Sequence, residues 1–241
     1  MSDPLPICIH GASGRMGCEL VALIQSDTRL QLHAAVVRSD SVFCGQSVAG
    51  SGLRYRSDLS VDVAVVIDFS LPAALPDLCN ALARRGIPLV SGTTGLDAAA
   101  EAALDRLAQQ VPVLWAPNFS LGVMVLTRLA RDAARWLADY DVGIVDTHHR
   151  AKRDAPSGTA LRLGEAIAEV RGRPPEYACL RVGGVVGDHA VVIAGPDELL
   201  ELRHHAQDRR LFARGALTAA HWLLRDGRKP GRYRLEDVLT P

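Results

Sequence analysis

The stretch Ile7-Cys8-Ile9-His10-Gly11-Ala12-Ser13-Gly14-Arg15-Met16-Gly17 decides the reading of the fold. A short apolar run stops at Gly11. From Gly14 to about Gln25, apolar residues return at helical spacing through Met16, Leu20, Leu23 and Ile24. Strand, glycine turn and helix in that order predict an anion site, because a helix N-terminus offers unpaired N–H groups and a positive dipole end. Glycines let a phosphate approach the backbone, and the last one lets the helix pack on the strand. The spacing is G-x-x-G-x-x-G. Ser13 stands where G-x-G-x-x-G has its middle glycine, and serine is small enough to fit. A plain tight turn uses the same residues. The place of the loop, after the first strand and before the first helix, favours a nucleotide.

Outward from that loop the chain alternates between two periods. Leu30 to Val37 reads as a strand, and Val63-Ala64-Val65-Val66-Ile67 as a strand buried on both faces. Helices are expected at Pro72 to Arg85 and Leu96 to Gln110, with strands at Pro88 to Val90 and Val111 to Trp115. Such alternation predicts βαβ units and a doubly wound parallel sheet of the Rossmann-like α/β class. Near Asn118 the pattern changes. One long helix is expected over Leu121 to Tyr140, with Val125, Leu129, Ala133 and Trp136 on one side. A strand at Val142 to Val145 and a helix at Ala160 to Val170 follow. Further strands are expected at Cys179 to Val182, Val185-Val186, Ala190 to Ala194 and Glu198 to His204. This reads as a second, α+β domain for substrate binding and oligomerisation over 120–209. The helix Leu211 to Leu224 returns the chain to a dinucleotide-binding domain of 1–119 plus 210–241, and Arg225 to Arg234 reads as a basic surface stretch.

Composition limits the partners. The 241 residues are 48% apolar and 22% charged, an ordinary globular balance. Lys plus Arg and Asp plus Glu are 27 each, so no bulk charge draws the chain to nucleic acid or an anionic membrane. No apolar run reaches membrane-spanning length. Five scattered cysteines without a C-x-x-C pair read as small buried hydrophobes in a reducing compartment, so a cytoplasmic protein is expected. No histidine spacing demands a metal.

Two loops fall where open α/β sheets place ligands: Asp68-Phe69-Ser70-Leu71-Pro72 and Ser91-Gly92-Thr93-Thr94-Gly95. Capping and turn chemistry would account for either one alone. Together with the glycine loop they favour a nicotinamide crevice. The most informative polar stretch is Asp146-Thr147-His148-His149-Arg150-Ala151-Lys152-Arg153-Asp154-Ala155-Pro156-Ser157-Gly158-Thr159. Two imidazoles and three cations precede a helix start whose amides can bind an anion. The set suits a small dianion, with a histidine placed to donate a proton. A solvated basic loop ahead of a capped helix has the same composition.

At these residues the chain resembles the dihydrodipicolinate reductase (4-hydroxy-tetrahydrodipicolinate reductase) family of the lysine and diaminopimelate pathway. The resemblance is carried by Gly11 to Gly17, Ile67-Asp68-Phe69-Ser70, Ser91 to Gly95, Ala116-Pro117-Asn118-Phe119-Ser120-Leu121-Gly122-Val123, the run His148 to Ala160, and Phe212 to Leu217. The motifs occur in the family's order over nearly the whole length. The resemblance implies hydride transfer from NAD(P)H to a cyclic dicarboxylic imine, giving tetrahydrodipicolinate. It implies His148 as proton donor, Lys152 as second catalytic residue, and His149, Gly158 and Thr159 as binders of the substrate carboxylates. It implies that Gly11, Ala12, Ser13, Gly14, Arg15 and Met16, then Gly92, Thr93 and Thr94, then Ala116, Pro117, Asn118 and Phe119 line the cofactor. It also implies a homotetramer built through the second domain's sheet. Two departures stand out. Asp146-Thr147 replaces the usual Glu-Ala before the histidine pair, and Arg171 to Leu180 is shorter than the family's segment.

In members that use NADH well, a Glu stands at the position of Val37. Here Val37 can neither bind a ribose 2′-OH nor repel a 2′-phosphate, while Arg38 can pair with that phosphate. The expectation is NADPH preferred, with NADH usable. Asp40 swinging in to serve NADH is the competing reading. Two other functions remain compatible with the motifs: another two-domain NAD(P)-dependent dehydrogenase, and a non-catalytic NAD(P)-sensing protein. A sensor has no need of a proton donor such as His148.

Overall fold

A computed structural model describes residues 4–239. In chain order the elements are β1 (Leu5–His10), α1 (Arg15–Gln25), β2 (Leu30–Val36), β3 (Val65–Asp68), α2 (Leu75–Ala83), β4 (Leu89–Ser91), α3 (Ala98–Ala108), β5 (Pro112–Trp115), α4 (Leu121–Trp136), β6 (Asp141–His148), α5 (Gly158–Arg171), β7 (Glu176–Arg181), β8 (Gly187–Ala194), β9 (Leu199–Ala206), α6 (Arg210–Leu224) and β10 (Gly231–Tyr233). The chain forms two compact units. One runs to Phe119 and resumes at Phe212; the other is Ser120–Leu211.

The first unit is a six-stranded sheet in the order β10-β5-β4-β3-β1-β2, parallel throughout. Val65, Val66 and Ile67 of β3 are fully buried, as an interior strand of a covered parallel sheet requires. Leu75, Leu78 and Leu82 of α2 and Leu104 and Leu107 of α3 pack in one core with Cys8, Val66, Leu89 and Val113 from four strands. Asp97 caps α3 by accepting a hydrogen bond from the Ala100 amide at 2.8 Å.

The second unit is a four-stranded mixed sheet in the order β7-β6-β8-β9. β6 and β7 are parallel, and the other pairs are antiparallel. Leu126, Ala130 and Ala134 of α4 and Ala160, Leu163 and Ile167 of α5 pack on Val142, Ile144, Val191 and Ile193. Burial alternates along β6, so Val142, Ile144, Asp146 and His148 share its covered face. That face is apolar at the start of the strand and polar at its end.

Several expectations need correction. The long helix ends at Trp136, and its stripe through Val125, Leu129 and Trp136 points outward; Trp136 is 78% exposed. The packing is done by the neighbouring stripe of Val123, Leu126, Ala130, Ala133 and Ala134. Val185-Val186 is not a strand, because the chain turns at Gly183 and Gly184 before β8 begins. The basic stretch after α6 contains β10, which pairs parallel to β5. Arg232 holds it there through Asp105 and Glu101 of α3, both at 2.6 Å. Only Cys8 and Cys79 are buried; Cys18, Cys44 and Cys179 are exposed, and all five are free. Among the described residues no helix is long and apolar enough to cross a membrane.

Candidate active site

The glycine loop joins β1 to α1 in the first unit. Gly11 has φ +78°, a left-handed conformation, and a Cβ there would lie 2.5 Å from the Phe69 carbonyl oxygen. A Cβ on Gly17 would lie 2.6 Å from two backbone carbons of Ala12, so only glycine lets α1 sit this close to the loop. The Gly11 and Ala12 amides both donate to the Val36 carbonyl at 3.0 Å, tying the loop to the end of β2. No side chain caps α1, so its first amides are open to a phosphate. Ala12 is buried, Ser13 and Met16 are half-buried, and Gly14 and Arg15 are exposed.

A buried carboxylate braces the neighbouring loops. Asp68 Oδ1 lies 2.7 Å from His10 Nδ1, and Oδ2 accepts hydrogen bonds from Ser91 Oγ at 2.7 Å and Thr93 Oγ1 at 2.8 Å. Burial alone would raise the Asp68 pKa; the His10 contact and hydrogen bonds from Ser70 and Ser91 hold it below the usual carboxylate range. Thr93 is therefore engaged internally, its carbonyl also accepting from Trp115 Nε1 at 2.9 Å. Gly92 is half-buried and Thr94 exposed on the same loop. Ala116 and Phe119 are buried, Pro117 and Asn118 half-buried, and the Phe119 ring lies 5.6 Å from that of Phe69. Arg38 extends past β2 with its side chain 69% exposed, its Nε 3.5 Å from Asp40 Oδ1, while Val37 is buried.

The second unit assembles the histidine stretch around the end of β6. His148 is buried, with Nδ1 3.0 Å from Asp146 Oδ1 and off the line of a straight hydrogen bond. Burial lowers the His148 pKa below its ordinary value; Asp146 opposes this, while Lys152 and Arg181 reinforce it. Lys152 Nζ pairs with Asp154 Oδ2 at 2.8 Å. His149 is half-buried one residue past the strand end. Ser157 caps α5 by accepting from the Ala160 amide at 3.2 Å, leaving Gly158 exposed and Thr159 half-buried on its first turn.

Sequence reading passed over three members of this cluster. His189 sits beside Asp146 in the β6–β8 register, and its ring meets the His148 ring edge-on at 5.2 Å. Burial pushes the His189 pKa down to about 4, so this ring is neutral at pH 7. Arg181 of β7 donates to Asp146 Oδ2 at 2.9 Å. Asp146 opens the informative polar stretch and stands where the family has Glu, but the sequence assigns it no role. Its signal was strand alternation, which places residue 146 on the same face as His148. Asp146, His148 and His189 bring one potential ligand atom each within 4.8 Å of one another. The carboxylate is already engaged by Ser157 and Arg181, and a metal dication would face that guanidinium. The donor set therefore suits proton handling better than a metal.

The parallel sheet and its glycine loop define a dinucleotide-binding protein of the Rossmann type. The sequence model described as "Dihydrodipicolinate reductase, N-terminus" matches residues 5–119, and that described as "Dihydrodipicolinate reductase, C-terminus" matches residues 122–239. The chain belongs to the dihydrodipicolinate reductase family. It is 47% identical over 243 residues to the 4-hydroxy-tetrahydrodipicolinate reductase of Xanthomonas campestris pv. campestris (strain B100), covering 99% of each chain. It is 43% identical over 243 residues to that of Xylella fastidiosa (strain M23), covering 99% of this chain and 100% of the relative. The fold matches dipicolinate-bound dihydrodipicolinate reductase from Paenisporosarcina sp. TG-14 with a TM-score of 0.85 at 23% identity, over 98% of this chain and 100% of that one.

Proposed function

We propose that this chain reduces 4-hydroxy-tetrahydrodipicolinate, through its dehydrated imine, to tetrahydrodipicolinate, with hydride from NAD(P)H. The observation that carries the reading is a buried imidazole, His148, beside a carboxylate and a helix start, in a chain that matches the family end to end. When bound, the reduced nicotinamide supplies the hydride. The chain's own residues do the rest. The first amides of α5 at Gly158 and Thr159, with His149, hold the substrate carboxylates. His148 delivers a proton to the carbon next to the reduced centre, and the Lys152 ammonium stabilises the negative charge that develops. The test is loss of NADPH absorbance when the purified protein meets freshly made dihydrodipicolinate synthase product. No oxidation above the enzyme-free rate would refute the assignment.

Lys152→Ala is expected to lower kcat by about 10²-fold and to raise the substrate KM, since the ammonium faces an anion in both ground and transition states. Steady-state kinetics at saturating NADPH would show it. Unchanged constants would make Lys152 a surface partner of Asp154.

NADPH is the preferred cofactor in this reading, with NADH usable. Arg38 stands in the open beyond β2, and the position before it carries a buried valine instead of a carboxylate. Arg38→Ala should lower kcat/KM for NADPH by about 10- to 100-fold, the range for a charged hydrogen bond to phosphate, while sparing NADH. Measuring both cofactors at low ionic strength decides it. An equal fall for both would mean that Arg38 acts by stacking on the adenine.

The uncovered face of the second unit's sheet supports a homotetramer. Leu180 and Leu199 are exposed there, opposite Thr147 and Ala194 in register. Light scattering of the purified protein would give the mass. Five unpaired cysteines suit the reducing cytoplasm.

A further inference from the structure

One carboxylate in the second unit is shared by four elements. Asp146 of β6 is fully buried. Its Oδ2 accepts hydrogen bonds from the Ser157 amide at 2.8 Å and from the Arg181 guanidinium of β7 at 2.9 Å. Its Oδ1 accepts from the Ser157 hydroxyl at 2.8 Å, and the same oxygen lies 3.0 Å from His148 Nδ1 and 3.4 Å from His189 Nε2 of β8. A buried carboxylate with this many partners links whatever those partners do.

We infer that Asp146 is a positioning residue that locks the proton donor His148 and the carboxylate-binding start of α5 into one geometry. The inference rests on the roles proposed above for His148 and for Gly158 and Thr159. Burial alone would favour a neutral Asp146, but the two Ser157 bonds and Arg181 hold it ionised. An ionised Asp146 favours the charged imidazolium of His148, the form that can give up a proton. The same oxygens fix Ser157, whose hydroxyl caps α5 one residue before the exposed Gly158 amide. The proton donor and the anion cradle therefore share one anchor, and neither can drift alone.

The groups facing His148 set the direction of the pH effect. Asp146 on its own strand and Asp154 in the loop favour its charged form. Lys152 and Arg181 disfavour it, and His189, neutral on β8 with His204 beyond it, adds no charge. Removing the Asp146 charge leaves burial and two cations opposed by Asp154 alone among these groups.

Asp146→Asn keeps the shape and removes the charge. We expect kcat near neutral pH to fall by about 10²-fold or more. The alkaline limb of the kcat–pH profile should move to lower pH by about one unit or more. Substrate KM should rise, while NADPH affinity by fluorescence titration stays as in the parent. Asp146→Glu, which restores the charge, should return the limb toward its original pH. Ser157→Ala should raise substrate KM and leave the limb in place. Should Asp146→Asn not fold, Asp146→Ser removes the same charge with a smaller side chain and should move the limb in the same direction. A limb that stays put in both variants, or a fall in kcat no larger than the fall in NADPH-binding protein, would make Asp146 a purely structural anchor and overturn the inference. Failure of the underlying reading looks different: the parent protein would not turn over the substrate, or His148→Gln would keep both its rate and its limb.

Discussion

Replacing His148 with Gln is expected to lower turnover by about 10²–10⁴-fold, the usual contribution of a positioned general acid, with little change in NADPH affinity. Glutamine preserves hydrogen-bonding reach but cannot cycle a proton. The parent enzyme's pH dependence supplies the companion result. Burial holds the His148 pKa below its ordinary value in the chain without substrate. A general acid works in its protonated form, so kcat/KM should fall as pH rises through a value on the acid side of about 6.5. Binding a dianion beside the imidazole favours the charged form, so the corresponding limb of kcat should lie at higher pH. Profiles of both constants over the neutral range would show the separation. Near-parental turnover of His148→Gln at saturating substrate would remove the residue from the mechanism, and coincident limbs would place the substrate charge elsewhere.

Gly215→Ala is expected to give the largest loss of stability among single methyl additions. Gly215 is buried on α6, and a Cβ there would run into the Phe119 carbonyl oxygen and lie 2.9 Å from its carbonyl carbon. The obstacle is backbone, and the Phe119 ring beside it is packed against Phe69, so no side-chain rotation relieves the clash. Overpacking of this kind costs about 3 kcal/mol, a fall in Tm of about 6–12 °C for a chain of this size. Any displacement of Phe119 also moves one of the backbone segments assigned to the cofactor, so NADPH affinity should fall too. Gly184→Ala is the control, since nothing lies within 4 Å of a Cβ there. Differential scanning calorimetry of both variants is the measurement. Equal Tm values would show that α6 shifts away without loss.

What the sequence determined by itself was whatever chemistry is carried by residues close together in the chain. The first strand, glycine loop and helix were legible because a tight turn between two periodic segments leaves a local signature, and Gly11 and Gly17 occupy the positions where a Cβ would strike backbone. The run from His148 to Thr159 was legible for the same reason, since strand end, basic loop and helix cap follow one another without interruption. The tertiary structure alone decided what depends on partners far along the chain. Periodicity shows that α4 has an apolar stripe through Val125 and Leu129, but only packing shows that Val123, Leu126 and Ala130 make the core instead. Three residues, Gly231 to Tyr233, are too few to show a period, and they form a strand only because β5 offers an open edge. Arg181 and His189 reach Asp146 through the registers of β7 and β8 against β6, which are fixed by hydrogen bonding and by the shared buried face. Spacing along the chain carries no trace of that register, so alternation could place Asp146 beside His148, but its partners Arg181 and His189 became visible only once the strands were side by side.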